Sequence, residues 1–435
     1  MTGVELGLAA LAGLLTLIAL RMPIGPALLG VSFVGLWALM GWRVAWGSLG
    51  VIPYQFSANW ILSSVPMFLL LGFICFHTRL TQGLFDAARL WLSGLPGGLA
   101  IAAVFGASGF AAVSGSSVAC SATMGRIAIP EMLKARYHPE LATGTLAAAG
   151  TIGALIPPSI ILILYGIIAQ VPITDLFLSG IAAGLITAAG YIVVIFIRVI
   201  RDPSLAPSIA DKATMAEKVA ALKETWPVIL LVIGIFGGLF SGVFTPTEAG
   251  AVGAALATLI AAAKRTLTVR AFVDAILETV TTTSSLIIIG IGASLLTRFL
   301  ALSGTGDWLS GAVLSLGAEP LVIIAGIVLL YLLLGMFLEP IGAMLLTLPI
   351  VLPIIAETGY SLVWFGILLC KLLEIGMITP PVGMNVFVIK SVVGDTVSTS
   401  AIFRGIVWFL VMDLFLVVLF VAMPELILFL PAVFG

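Results

Sequence analysis

The stretches Gly150-Thr151-Ile152-Gly153-Ala154-Leu155-Ile156-Pro157-Pro158-Ser159 and Gly376-Met377-Ile378-Thr379-Pro380-Pro381-Val382-Gly383-Met384-Asn385 decide how this chain folds. Each sets glycine and a Pro-Pro pair inside a long apolar run. Proline removes a backbone donor and frees a carbonyl one turn earlier. Glycine lets the chain leave helical geometry. At membrane depth such a break is tolerated only where protein or water covers it. Two of them suggest discontinuous membrane helices. Their freed carbonyls and hydroxyls suit a dehydrated alkali cation, and their helix N-termini suit a carboxylate.

The composition around these breaks belongs to a membrane protein. Of 435 residues, 61% are hydrophobic and 9% charged, and mean hydropathy is +1.27. Soluble domains carry about 25% charged residues, and disorder needs low hydrophobicity, so both classes are excluded. A net charge of −1 offers nucleic acid no basic field. Cys75, Cys120 and Cys370 lie far apart, and two histidines do not build a usual zinc site. No transition metal or organic cofactor is expected. The run Val4–Leu20 lacks a basic region before it and a cleavage site after it, so it reads as a first crossing rather than a cleaved signal.

Hydropathy predicts crossings at 4–20, 24–42, 61–77, 140–170, 173–198, 225–243, 247–263, 280–300, 362–390 and 400–422. Two further apolar stretches, 97–133 and 320–356, are too long for one span and carry Gly, Ser or Pro near their middles. They read as reentrant hairpins. Amphipathic stretches at 78–92 and 264–279 are expected along the inner interface. Trp42, Trp46 and Trp60 fit an outer aromatic belt and an interfacial segment. Fifteen of the 19 Lys and Arg fall on one side, Lys212 in the 199–224 linker among them. Arg43 and Arg298 fall on the other side, and Arg126 and Lys371 within the membrane. This asymmetry places the linker in the cytoplasm and both termini outside it.

A shift of 223 positions pairs the halves without a gap. It sets Pro23 on Pro246, Gly30 on Gly253, Pro130 on Pro353, and Ile152, Gly153, Pro157 and Pro158 on Ile375, Gly376, Pro380 and Pro381. Four coincident prolines among 22 are not expected by chance. Five crossings per half is an odd number, so the second copy is inserted upside down, as in secondary transporters. The fold expected is an all-α polytopic membrane protein of two inverted repeats, each with one reentrant hairpin and one Pro-Pro-broken helix. The first repeat is 1–198, with scaffold 4–77, hairpin 97–133 and broken helix 140–170. The second is 225–435, with scaffold 225–300, hairpin 320–356 and broken helix 362–390.

The hairpin tips are Ser114-Gly115-Ser116-Ser117 and Glu339-Pro340-Ile341-Gly342. One tip and one broken helix per half would give two related cation sites with a substrate between them. These motifs, together with Tyr165-Gly166, resemble the large membrane subunit of tripartite ATP-independent periplasmic (TRAP) transporters, in the ion-transporter superfamily. The likeness runs over nearly the whole chain. It implies a sodium-coupled, elevator-type importer of organic acids, mostly carboxylates, in a bacterial inner membrane. It also implies two partners, a small four-helix membrane subunit expected as a separate polypeptide and a periplasmic substrate-binding protein. By that resemblance Ser114, Gly115, Ser116, Gly153 and Pro157 would line one sodium site. Glu339, Gly342, Thr379, Pro380 and Gly383 would line the other. Ser117, Asn385 and Arg126 are candidates for contact with substrate.

Other polar residues have plainer expectations. Lys371 and Glu374, three apart on one helix, would pair. Arg126 would meet substrate, snorkel or pair with Glu131. Asp413 would be satisfied by a neighbour or by the small subunit, and His77 and His138 by solvent. Gly106-Ala107-Ser108-Gly109 matches the short pattern of intramembrane serine proteases, but no histidine falls at its depth to serve as base. An enzyme is therefore not expected. A stand-alone di- or tricarboxylate carrier and a proton-coupled mechanism are the nearer alternatives. Few titratable groups sit at the repeated motifs, which favours sodium.

Overall fold

The computed structural model describes residues 2–207, 213–315, 317 and 319–434. Lys212 lies outside the described residues. Among them the chain forms 21 α-helices and four short 3-10 turns, with no strand. Six helices are long and apolar enough to cross a membrane: Trp60–Thr78, Ile173–Arg201, Pro246–Ala263, Val269–Ser303, Pro340–Glu357 and Thr399–Ala422. A seventh is formed if Met215–Lys223 and Trp226–Phe240, bent by 43°, act as one span. Helices stand at all ten expected crossings, but the others are shorter, such as Gly3–Ala19 and Ile24–Met40. The protein is thus an all-helical, multi-pass membrane protein with fewer unaided spans than the ten expected. Thr399–Ala422 shows why water is the wrong solvent: Val407, Trp408, Val411, Phe415 and Val418 point outward while Phe409, Leu416 and Phe420 are buried. A helix apolar all round belongs in lipid.

Both long stretches that looked like hairpins are helix pairs. Gly98–Ser114 and Ser117–Lys134 join at Gly115-Ser116. Pro320–Gly335 and Pro340–Glu357 join at 336–339. The broken helices also divide where the prolines dictate. Pro139–Thr151 gives way to a 3-10 turn and restarts at Ile160, and Leu362–Gly376 restarts at Met384. The bonds Pro157-Pro158 and Pro380-Pro381 are both cis.

Helix boundaries follow the 223-residue shift closely. It carries Ser117–Lys134 onto Pro340–Glu357 and Gln82–Leu92 onto Thr305–Ser315. Thr305–Ser315 and Glu425–Phe434 were not anticipated from the sequence. One expectation is overturned. Residues 264–279 are no separate interfacial segment, because Val269–Ser303 runs unbroken for 35 residues. It holds no proline and no glycine before Gly290. Its mid-helix hydroxyls bond back into the helix, Thr279 to Ala275 O at 2.7 Å and Thr281 to Leu277 O at 2.8 Å. The matching region of the first half is broken instead. There Asn59 Oδ1 accepts from Ile61 N at 3.0 Å between Trp42–Ser57 and Ser64–Thr78.

Candidate functional site

The first tip is built by a glycine that no other residue replaces easily. Gly115 ends its helix at φ +63°, in the left-handed region. A Cβ there would lie 2.0 Å from Pro158 O. The tip is therefore pressed against the first break. Gly153 meets it from the other side, since a Cβ at Gly153 would stand 2.9 Å from Ser116 O. Ser116 caps the returning helix, its Oγ accepting from Ala119 N at 3.3 Å. All ten residues of the break, Gly150 to Ser159 and so including Pro157, are buried.

The second tip uses a charge for the same task. Glu339 caps Pro340–Glu357, its Oε2 accepting from Gly342 N at 3.2 Å. The second break is more open: Pro380 and Pro381 are exposed and Thr379 is half-buried. Thr379 Oγ1 donates to Ile375 O at 2.6 Å. Gly383, at φ +60°, starts the next helix. Asn385 is fully buried, its backbone N–H donates to Met377 O at 2.9 Å, and neither polar atom of its side chain has a partner among the described residues.

Both tips open onto one cavity of about 440 Å³. The first contributes Ser114 through Ala119, the second Glu339, Pro340 and Ile341, and the second break Met377 and Met384. Ser114 Oγ is buried and has no partner among the described residues. Gly153, Pro157, Gly342, Thr379, Pro380, Gly383 and Asn385 are not among the residues that line it. Arg126 is elsewhere. It lines a separate cavity with its guanidinium 6.0 Å from the Phe76 ring centroid. The expected Arg126–Glu131 pair is not formed, because Glu131 is held by Arg89 and Lys134, each at 2.9 Å.

Sequence reasoning missed Glu374 as part of the site. Its carboxylate is fully buried, lines the cavity and accepts from Ser117 Oγ at 3.1 Å, while Oε2 has no partner among the described residues. The expected Lys371–Glu374 pair is not formed. Lys371 instead donates to Asp413 and, at 3.4 Å, to Thr187 Oγ1. Tyr191 donates to the same carboxylate at 2.8 Å and meets Thr151 Oγ1 at 3.1 Å. Asp413 is satisfied by neighbours, as expected. A lone lysine and a lone aspartate in neighbouring membrane helices were the available signal for that pair. His77 is not left to solvent: its side chain is 18% exposed and Nε2 lies 3.3 Å from Glu278 Oε1. Ser108 Oγ donates to Val104 O in its own helix at 2.9 Å.

Comparison with known proteins places the chain in a family. A model of the family "Tripartite ATP-independent periplasmic transporter, DctM component" matches residues 11–426. The C4-dicarboxylate TRAP transporter large permease protein DctM of Pseudomonas aeruginosa is 34% identical over 374 residues, covering 85% of this chain and 86% of that one. The sialic acid TRAP transporter large permease protein SiaM of Vibrio cholerae is 34% identical over 379 residues, covering 86% and 87%. The isethionate TRAP transporter permease protein DctMQ of Oleidesulfovibrio alaskensis is 31% identical, and this chain spans 56% of it. Among solved structures, the Alcanivorax borkumensis YdaH transporter shares the fold at a TM-score of 0.59 and 16% identity, covering 85% of this chain and 87% of that one.

Proposed function

The chain belongs to the DctM component family of tripartite ATP-independent periplasmic transporters, and from that membership we propose that this large permease imports an organic acid, a carboxylate, on a sodium gradient. The observation that carries the reading is the shared cavity. Two helix-pair tips from opposite halves present Ser114, Ser117 and Glu339 to one space, where Ser114 Oγ and Glu374 Oε2 have no partner among the described residues. A dehydrated monovalent cation needs such oxygens, and a carboxylate gains from the helix N-termini at Ser116 and Glu339.

In this reading the halves are inverted repeats, 1–198 and 225–435, joined by a cytoplasmic linker, with both termini periplasmic. The coincidence of helix boundaries at the 223-residue shift supports it. The helix pairs are reentrant hairpins. With the two broken helices they form a domain that moves as one body against a scaffold of the 4–77 and 225–300 segments. One sodium ion is held by the first tip and break, through Ser114, Gly115, Ser116, Gly153 and Pro157. The other is held by the second, through Glu339, Gly342, Thr379, Pro380 and Gly383. Ser117 and Asn385 serve the substrate side. Cation and substrate binding then strengthen one another by the same factor. A small membrane subunit braces the scaffold, and a periplasmic binding protein delivers substrate. The names of the Pseudomonas and Vibrio relatives make C4-dicarboxylates and sialic acids the first substrates to try.

Thermal unfolding in sodium against potassium at equal ionic strength tests the coupling. A ligand bound only to the folded state stabilises by about 2.7 kcal/mol at a hundred times its dissociation constant. A saturable rise of melting temperature specific to sodium is expected. Identical curves in the two salts would sink sodium coupling.

A further inference from the structure

The cavity that holds Arg126 has no role in the scheme above. It measures about 590 Å³ and lies between the end of Ser64–Thr78, the helix Gln82–Leu92 and the returning arm Ser117–Lys134. Four cationic side chains line it, Arg79, Arg89, Arg126 and Lys134, against the carboxylates of Asp86 and Glu131. Arg89 and Lys134 share Glu131. Among the described residues no carboxylate comes within ion-pair distance of Arg79 or Arg126. Thr123 Oγ1 and Arg89 Nε face this space or its wall, buried and without partners. The cavity thus keeps a surplus of donors with positive charge.

Its position gives that surplus a use. Phe76 lines both this cavity and the central one. Beside it, His77 of the basic cavity lies 3.3 Å from Glu278 of the central cavity. The two spaces therefore adjoin at Phe76 and at the His77–Glu278 contact. Arg126 stands nine residues below Ser117 on the same helix, about 13 Å along the axis at 1.5 Å per residue.

We propose that the basic cavity is an exit vestibule, an anion site in which Arg126 and Arg79 receive a small carboxylate that has passed Phe76 from the central cavity. The proposal rests on the reading of the chain as an organic-acid importer. Guanidinium groups take carboxylates in paired hydrogen bonds, and two of them without internal partners are preset for that task. Phe76 separates the wells, so substrate leaves the cation-bearing cavity before it is released. The vestibule needs no sodium, because none of the tip or break residues reaches it. Asp86 opposes the anion and keeps the site weak enough to let go. A phospholipid headgroup offers the same oxyanion chemistry from another source.

Titration calorimetry of the purified chain with succinate, in potassium chloride without sodium, tests the site. Saturable binding is expected. Arg126→Gln and Arg79→Gln should each weaken it about tenfold, as loss of a charge-assisted contact does. Asp86→Asn should tighten it, and Arg43→Gln should leave it unchanged. Equal affinity in wild type and both arginine variants, or no binding at all, overturns the proposal. Arg79 is exposed at a helix end, so its variant remains informative if Arg126→Gln fails to fold. Binding should be the same in phosphatidylcholine and phosphatidylglycerol nanodiscs. Its loss in phosphatidylglycerol identifies a lipid headgroup as occupant and overturns the vestibule. Sodium-specific stabilisation should persist in Arg126→Gln. Its absence from the wild type would remove the importer reading, while succinate binding at Arg126 would still be measured on its own.

Discussion

Ser116 caps Ser117–Lys134 with a hydroxyl, and Glu339, 223 positions later, caps Pro340–Glu357 with a carboxylate. The same contrast recurs at the breaks. Thr151 corresponds to Glu374, and Ala148 to Lys371. The first copy is neutral and closed, with its tip pressed on its break at Gly115 and Gly153. The second is charged, and its break is the more open, with Pro380 and Pro381 exposed, although both tips line the central cavity. Charge in a membrane interior is costly unless matched, and two of the second copy's charges gain a partner in the first half. Glu374 meets Ser117 of the first tip, and Lys371 meets Thr187 as well as Asp413. Glu374 and Lys371 therefore tie the second copy to the first through Ser117 and Thr187.

The buried pair offers the largest test of this contrast. Lys371 and Asp413 are both almost wholly buried. Removing one partner of such a pair costs about 3–5 kcal/mol, because the other charge is stranded, whereas replacing both by apolar groups is often neutral. Lys371→Met should accordingly lower the melting temperature sharply, and Lys371→Met with Asp413→Leu should recover most of the loss. The neutral first copy shows that the helix packs without a charge at this place. A single variant as stable as the wild type would mean that charge in the second copy carries no structural weight.

Next in size is the glycine of the first tip. Gly115→Ala forces an ordinary side chain into left-handed backbone and against Pro158 O. Strain and overpacking together suggest a loss of about 3 kcal/mol. Gly342→Ala in the second tip clashes with Ile24 Cδ1, the movable end of a side chain, and meets Glu339 Oε2 and Ile24 Cγ2 at an ordinary 3.5 Å, so it should cost about 1 kcal/mol. Thermal unfolding of the two variants side by side measures the difference between a closed tip and an open one. Equal losses would remove that distinction.

These contrasts were unequally legible in the sequence. The breaks, both tips and the 223-residue correspondence follow from proline, glycine and small hydroxyl residues, whose effect on the backbone is local. The unbroken helix Val269–Ser303 was missed because its amphipathic start looked interfacial, while the hydroxyls that carry it onward bond within the helix. Partners of charge were least legible. Lys371 and Glu374 sit three apart, as a local pair should, yet Asp413 lies in a later helix and Ser117 in the other half. Sequence spacing holds no record of which helices touch. For the same reason Arg126 could be placed at depth but not assigned to a cavity of its own.

The smallest effects concern the two caps, and they decide between ligand and cap. Ser116 and Glu339 accept at 3.3 Å and 3.2 Å in the same geometry. Loss of either cap, in Ser116→Ala or Glu339→Ala, should cost about 1 kcal/mol. Glu339→Gln keeps an acceptor oxygen for Gly342 N but removes the charge, so it should leave stability in potassium within a few tenths of a kcal/mol of wild type. Its sodium response should nonetheless weaken, because a carboxylate binds a hard cation more strongly than an amide. If Glu339→Gln shows the wild-type sodium response while Glu339→Ala is destabilised, the carboxylate is a cap and nothing more. The second sodium site would then lose its charged ligand, and the carboxylates left on the central cavity would be Glu374 and Glu278, the latter beside His77.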